Sequence, residues 1–241
     1  MTRPRPQLPK NFFVKWFAQH SRSFPWREPG CTAFQLLATE MLLRQTRSES
    51  VATIWVSFFE RFPDAPSLSR AQLSLLRRIL KPLGFGNMRA EALRTMARWV
   101  VNNDGRVPDS REKLLSIPHV GAYASNALLS FHFGRRVEIV DGNVQRFVSR
   151  FYGIPVLPDI RRNPSVHQKM RRLLPTRSVS QHNYGILDFT ATVCKPASPK
   201  CTECPLSERC SYFHSQKSLL GPEPQGSRRI KRRRCTRPML E

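Results

Sequence analysis

The chain is short of acidic residues, of long apolar runs and of internal repetition. Seventeen Asp and Glu stand against 40 Lys and Arg, a formal net charge of +23. A field of that sign draws polyanions, with nucleic acid the default partner and a ribosomal or membrane surface the alternative. Residues 221–241 hold seven Lys and Arg and two acids, so most of the excess belongs to the rest of the chain. No run of about 18 apolar residues occurs, which excludes a membrane-spanning helix. The opening MTRPRPQLPK is basic but lacks the apolar core of a secretory signal. No segment repeats, which excludes a repeat array.

What is present suits a packed core: 40% hydrophobic residues, with 15 Phe and 4 Trp. The apolar spacing is helical almost throughout. Val51, Ile54, Trp55, Phe58, Phe59 and Phe62 mark one buried face, and Ala90, Leu93, Met96, Ala97, Val100 and Val101 another. The second run stops at Asn102-Asn103-Asp104-Gly105. Leu73, Leu76 and Leu80 predict a helix ended by Pro82 and Gly84. Asp109 or Ser110 can cap a short helix through Leu115, and Ser165 one through Leu174. Only Val137–Val140 looks strand-like, and it is too short to pair. The pattern predicts an all-α protein of about ten helices. Residues 221–226 read as a linker by composition. RRIKRRR (228–234) reads as a solvated run, either adding phosphate affinity or inert.

Cys194, Cys201, Cys204 and Cys210 are spaced C-x6-C-x2-C-x5-C. In a chain without an export signal this reads as metal ligation before disulfides. Zinc and a 4Fe–4S cluster both fit four thiolates. Four-Cys zinc sites usually carry two CxxC pairs, and the single pair here leans towards the cluster. Cys31 and Cys235 stand apart as free thiols. Residues 114–131, LLSIPHVGAYASNALLSF, predict two helices joined by Pro118-His119-Val120-Gly121. The open N–H groups there form either a phosphate grip or an ordinary bundle hairpin. Asp141, before Val144, Phe147 and Val148, reads as an N-cap. Glu40 shares a helix face with Leu36, Leu37 and Leu43; on the residues alone it pairs with Arg44, four positions on.

Together these segments resemble the helix-hairpin-helix superfamily of endonuclease III-like and adenine DNA glycosylases. The cysteine spacing and the preceding NYGILDFTATVC (183–194) resemble its cluster loop. The stretch 114–131 resembles its hairpin, usually LPGVG, with His119 replacing the first glycine. A left-handed conformation there would cost His more than Gly. VDGNVQRF resembles the segment bearing the family's catalytic aspartate.

The resemblance covers about residues 12–214 and implies two helical lobes around a DNA-binding cleft. A six-helix barrel with the hairpin spans 32–137. The cluster lobe combines 1–31 with 138–215, and 216–241 is a basic, disordered tail. One 4Fe–4S cluster would sit on the four cysteines. Asp141 would stabilise the cationic sugar and position water. Glu40, its pKa raised among leucines, would donate to the leaving base. Gln45 would fill the gap left by the flipped nucleotide. His119, Val120, Gly121, Ala122, Arg27, Lys195 and Lys200 would contact DNA.

Strand-cleaving relatives place a lysine where this chain has Tyr123. A phenol forms no imine, so a monofunctional enzyme leaving an abasic site is expected, with Tyr123 lining the base pocket or packing the hairpin. Tyr123, ATEMLLRQTRSES (38–50) and LGFGNMRAEAL (83–93) resemble mismatch-specific thymine and uracil glycosylases. The rival is adenine removal without the C-terminal domain that reads oxidised guanine, since 31 residues follow Cys210. Another modified base is a third reading, and a cluster-bearing DNA-binding module the non-enzymatic one. The expected partner is duplex DNA with a mispaired or damaged base, bound by a monomer away from membranes. The compartment would be the cytoplasm with its nucleoid, or the nucleus in a eukaryote.

Overall fold

A computed structural model describes residues 6–157 and 163–219. The 221–226 linker, the RRIKRRR stretch and Cys235 lie outside the described residues. Among the described residues there are twelve α-helices and no strand: α1 (Phe12–His20), α2 (Ala33–Leu42), α3 (Ser48–Arg61), α4 (Ala65–Ser69), α5 (Leu73–Leu80), α6 (Gly86–Asn102), α7 (Arg111–Ser116), α8 (Ala122–Phe131), α9 (Gly142–Tyr152), α10 (Pro164–Leu173), α11 (Val179–Thr192) and α12 (Ser211–Leu219). The periodicity anticipates about ten; α4 is too short for a hydrophobic repeat to show. None of the described helices is long and apolar enough to cross a membrane. Val137–Val140 forms no strand.

Local chemistry sets most helix ends. Thr32 and Gln35 exchange two bonds, Gln35 N–H to Thr32 Oγ1 at 3.1 Å and Thr32 N–H to Gln35 Oε1 at 2.9 Å, a reciprocal cap that starts α2. Asp64 and Ser110 cap α4 and α7. The cap of α10 is Asn163, not Ser165: Asn163 Oδ1 accepts from Val166 N–H at 3.4 Å. Pro164 has the fixed φ and missing N–H that suit the first helical position, so the cap must precede it. α9 ends at Gly153 with φ +67°, and a Cβ there would press on Ser211 at 3.2 Å. α12 continues to Leu219, so the segment expected to be tail from residue 216 begins in a helix.

Two apolar cores form. The first takes the buried faces of α2 to α8 with Phe24 and Trp26; the second takes Phe13 and the inner faces of α9, α10 and α11 with Leu206. Burying each large side chain contributes roughly 1.5–3 kcal/mol. The segment 1–31 is therefore shared: Leu8 and Phe13 belong to the second core, Phe24 and Trp26 to the first. The chain changes core again between Val137 and Val140. α1 and α11 pack so closely at Gly185 that any Cβ there would overlap the Phe13 carbonyl. Polar bonds fasten the lobes. Asn183 Nδ2 donates to Ser130 Oγ at 2.8 Å and to Val137 O at 2.9 Å, and Ser180 Oγ to Ser130 O at 2.7 Å.

Candidate functional site

Glu40 lies in the last turn of α2 and is 7% exposed. It does not pair with Arg44, whose Nη1 instead donates to His119 O at 3.3 Å. Among the described residues its carboxyl makes no hydrogen bond or ion pair. Burial, then the charge of Asp141, pushes its pKa up to about 8, and Arg27 only partly opposes them. A carboxyl in that state holds its proton at neutral pH and can donate it.

Asp141 comes from the other lobe. It caps α9, with Oδ1 accepting from Val144 N–H at 2.7 Å and Oδ2 from Asn143 Nδ2 at 3.0 Å. The capping role read from sequence and a position beside Glu40 thus coexist. Asn143 Oδ1 accepts from Arg146 Nη1 at 2.8 Å, and Arg146 Nη2 reaches Cys194 O at 2.8 Å. A continuous polar chain joins Asp141 to the first cysteine.

Tyr123, the second residue of α8, joins the same site. Its pKa is raised well above the phenol value by burial first, then by the charges of Glu40 and Asp141. The sequence places these three groups 18 or more residues apart, and the fold brings them within each other's electrostatic reach.

Behind them lies a pair that the sequence reading missed. Arg27 grips Asp188 with both terminal nitrogens, at 2.8 and 2.9 Å, and sits over the Tyr184 ring at 4.3 Å. Arg22 adds bonds to both carboxylate oxygens. Burial alone would raise the Asp188 pKa, but these bonds and the Arg27 charge hold it below the ordinary carboxylate range. Arg27 was expected to contact a DNA phosphate. Its guanidinium is committed to a buried carboxylate instead, which leaves it as a cation whose charge reaches Glu40 and Tyr123. The clue was Asp188 itself, an acid beside Ile186 and Phe189 on an otherwise buried helix.

The hairpin adopts the expected helix–turn–helix form. His119 has φ +66°, so the left-handed turn survives without glycine. Val120 differs from expectation: its side chain is core and its N–H closes the turn on Ile117 O at 3.1 Å, leaving nothing for a phosphate. Gly121 is the N-cap of α8 and no side chain caps that helix. The first α-helical bond is Ser125 N–H to Gly121 O at 3.0 Å, so the N–H groups opening α8 at Gly121 and Ala122 remain available.

Gln45 is exposed and left-handed, φ +54°, in the α2–α3 turn. Arg89, 6% exposed, organises that turn: Nη1 donates to the Met41 and Leu42 carbonyls, and Nη2 to Arg44 O at 3.0 Å and Thr46 Oγ1 at 2.8 Å. Thr46 Oγ1 donates to Leu83 O at 3.2 Å, which draws in the loop before α6. That loop exposes Phe85 (59%), and the first turn of α6 exposes Met88 (68%), two apolar side chains absent from the expected contacts. Apolar residues in a Gly-flanked loop, LGFGNM, were the available signal; nothing in sequence marked Arg89.

All four C-terminal cysteines line one cavity walled by Phe147, Phe151 and Leu206. Burial pushes the Cys204 thiol up to about 11, and the charges of Cys210, Cys194 and Cys201 act the same way. Among the described residues no three His, Cys, Asp or Glu side chains are disposed to hold one metal ion. A single tetrahedral zinc would bring its sulfurs to about 4 Å from each other. Arg150 Nη1 stands 3.7 Å from Cys194 Sγ and 2.7 Å from Lys195 O. Lys195 is half-buried, and Lys200 is exposed with Nζ 3.4 Å from Glu203. Cys31 is free.

Residues 38–173 match the family described as HhH-GPD superfamily base excision DNA repair protein. A thymine/uracil-DNA glycosylase of Methanothermobacter thermautotrophicus is 33% identical over 193 residues, 80% of this chain and 87% of that one. An adenine DNA glycosylase of Mycobacterium tuberculosis is 31% identical over 223 residues, 89% of this chain and 70% of that one. The structure of a thermostable thymine-DNA glycosylase superposes with a TM-score of 0.79 at 31% identity, covering 84% of this chain and 94% of its own. An endonuclease III–DNA complex, at 23% identity, shares the fold with a TM-score of 0.73 over 85% of this chain and 92% of its own. On these matches, and on the all-helical two-core architecture, the chain belongs to the HhH-GPD superfamily of base excision DNA repair proteins.

Proposed function

We propose that this chain is a monofunctional DNA glycosylase acting on thymine or uracil opposite guanine. The observation that carries the reading is the buried, unpaired Glu40 within electrostatic reach of Asp141 and Tyr123. Protonated Glu40 gives a proton or hydrogen bond to the departing base, so the bonding electrons leave with a neutral or stabilised group. Asp141, fixed in direction by Val144 and Asn143, faces the developing sugar cation and orients the water that adds to it. Tyr123 occupies the position where an amine would form an imine, so the product is an abasic site and the strand stays intact.

DNA would be held by the open N–H groups of Gly121 and Ala122 and by His119, with Lys195 and Lys200 on a second phosphate run. Gln45, supported by Phe85 and Met88, would occupy the space of the extruded nucleotide. Cys194, Cys201, Cys204 and Cys210 would hold a 4Fe–4S cluster, a reading supported by their C-x6-C-x2-C-x5-C spacing and by the one cavity that all four line. Bound there, the cluster would tie four thiolates to one centre and so fix the loop carrying Lys195 and Lys200. Adenine removal is the second reading, favoured by the M. tuberculosis relative.

The test uses duplexes containing single G·T, G·U, 8-oxoguanine·A and oxidised-pyrimidine sites. Breaks that appear only after alkali, strongest at G·T and G·U, are expected. Breaks without alkali would overturn the monofunctional assignment. Tight binding with no base release from any duplex would leave a binding module.

A further inference from the structure

Away from the groups above, the structure has a half-enclosed hollow of about 700 Å³ between the start of α1 and the start of α11. Its size falls within the usual range for small-ligand pockets, roughly 300–1,000 Å³. The electrostatics of its wall are one-sided. Among the described residues Lys10, Arg172 and Arg177 line it, no carboxylate does, and none of the three makes an ion pair. Two helices open onto it through Asn11 and Ser178, and neither residue's side chain caps its helix. Pro9 O takes the Phe12 N–H at 3.1 Å, and the other first-turn N–H groups lack partners within their helices, so the positive ends of both dipoles face one place.

A further observation points to a missing ligand. His182 lines the same hollow, is 3% exposed, and among the described residues has no partner at either ring nitrogen. A buried imidazole offers one donor and one acceptor, and leaving each unmade costs about 1–3 kcal/mol. Burial also depresses its pKa to about 4, so it is neutral and keeps one N–H to give. Phe13 packs edge-on against the ring with centroids 5.4 Å apart, which fixes its orientation.

We propose that this hollow binds a phosphate group, presented as the monoester of a small molecule or as the terminal phosphate of a nucleic-acid strand. The site is distinct from the hairpin. Ser180, next to the start of α11, bonds Ser130 at the far end of α8 from Gly121. Ten residues of helix separate those two ends by about 15 Å.

The full chain would be titrated calorimetrically with inorganic phosphate, thymidine 5′-monophosphate and thymidine at constant ionic strength. A short single strand with or without a 5′-phosphate would follow. Binding of inorganic phosphate near or below about 1 mM is expected. K10E and R177E should each weaken it by about tenfold or more. R77E, in a separate groove lined by Arg77, Arg78, Lys81 and Phe85, should change it less than about twofold. His182 imidazole signals, identified by their loss in H182F, should move during the titration. Tighter binding of thymidine 5′-monophosphate than of phosphate assigns the small-molecule source. Binding of the strand only when 5′-phosphorylated assigns the strand end. No binding of any phosphate probe, equal weakening in R77E, or stationary His182 signals would overturn the proposal.

Discussion

Two buried carboxylates flank Arg27 and meet opposite fates. Asp188 on α11 takes both ends of the Arg27 guanidinium and two further bonds from Arg22, and titrates below its ordinary range. Glu40 on α2 is as deeply placed, receives only the distant Arg27 charge, and titrates near 8. The difference lies in hydrogen bonding rather than in depth. Asp188 is a structural anion whose desolvation is offset by its partners. Glu40 is left without partners, and the cost is retained as a proton held at neutral pH. One cation therefore serves the fold with its nitrogens and the site with its field.

Breaking the paired member should have the largest effect. Asp188→Ala strands Arg27 in the interior and should destabilise the protein by about 3–5 kcal/mol, read by urea unfolding. Loss below about 1 kcal/mol would show that the pair is solvated. Its linkage also has a fixed sign. A depressed folded pKa gives stability that is present above the unfolded value near 3.8 and fades as pH falls through the folded one.

The unpaired member should behave in reverse. The folded pKa of Glu40 exceeds its unfolded value of 4.5, so this group's contribution declines as pH rises from about 4.5 to about 8. Glu40→Gln should remove that decline and raise stability at pH 8 by a few kcal/mol at most, on the order set by the shift. The same change should lower single-turnover base release by roughly 10²-fold or more. A variant both less stable at pH 8 and fully active would remove Glu40 from the site.

Smaller effects sharpen the comparison. Arg89→Met removes the bonds to the α2 carbonyls, and its Gln45 turn should loosen. DNA containing 2-aminopurine beside the lesion should then report extrusion slowed by about tenfold, roughly 1.4 kcal/mol, while Arg89→Lys recovers part of it. Equal extrusion in Arg89→Met and wild type would make this a packing residue. His119→Gly relieves a left-handed non-glycine residue and should stabilise thermal unfolding by about 1 kcal/mol or less.

The helices were legible because the signal is local. The Val51–Phe62 and Ala90–Val100 faces, the Ser110 cap and the Asn103–Gly105 stop depend on neighbours a few residues away, and the structure has them as read; Val101, placed on the second face, is instead 39% exposed. The α10 cap was misplaced by two residues because Ser165 and Asn163 are both good caps and Pro164 decided between them. Glu40 was ambiguous for a different reason. On an isolated helix Arg44 is its nearest cation, and only the packed hairpin, offering the His119 carbonyl, takes Arg44 away. Arg27 was assigned to phosphate since a basic residue gives no sign of which distant acid will claim it.

By itself the sequence determined the all-helical architecture, the position of the hairpin and the grouping of four thiols, since each follows from spacing along one segment. The tertiary structure alone decided which carboxylate would be neutral and which ionised. That choice depends on desolvation and on partners contributed by α2, α8, α9 and α11, and no local pattern encodes distances between elements a hundred residues apart.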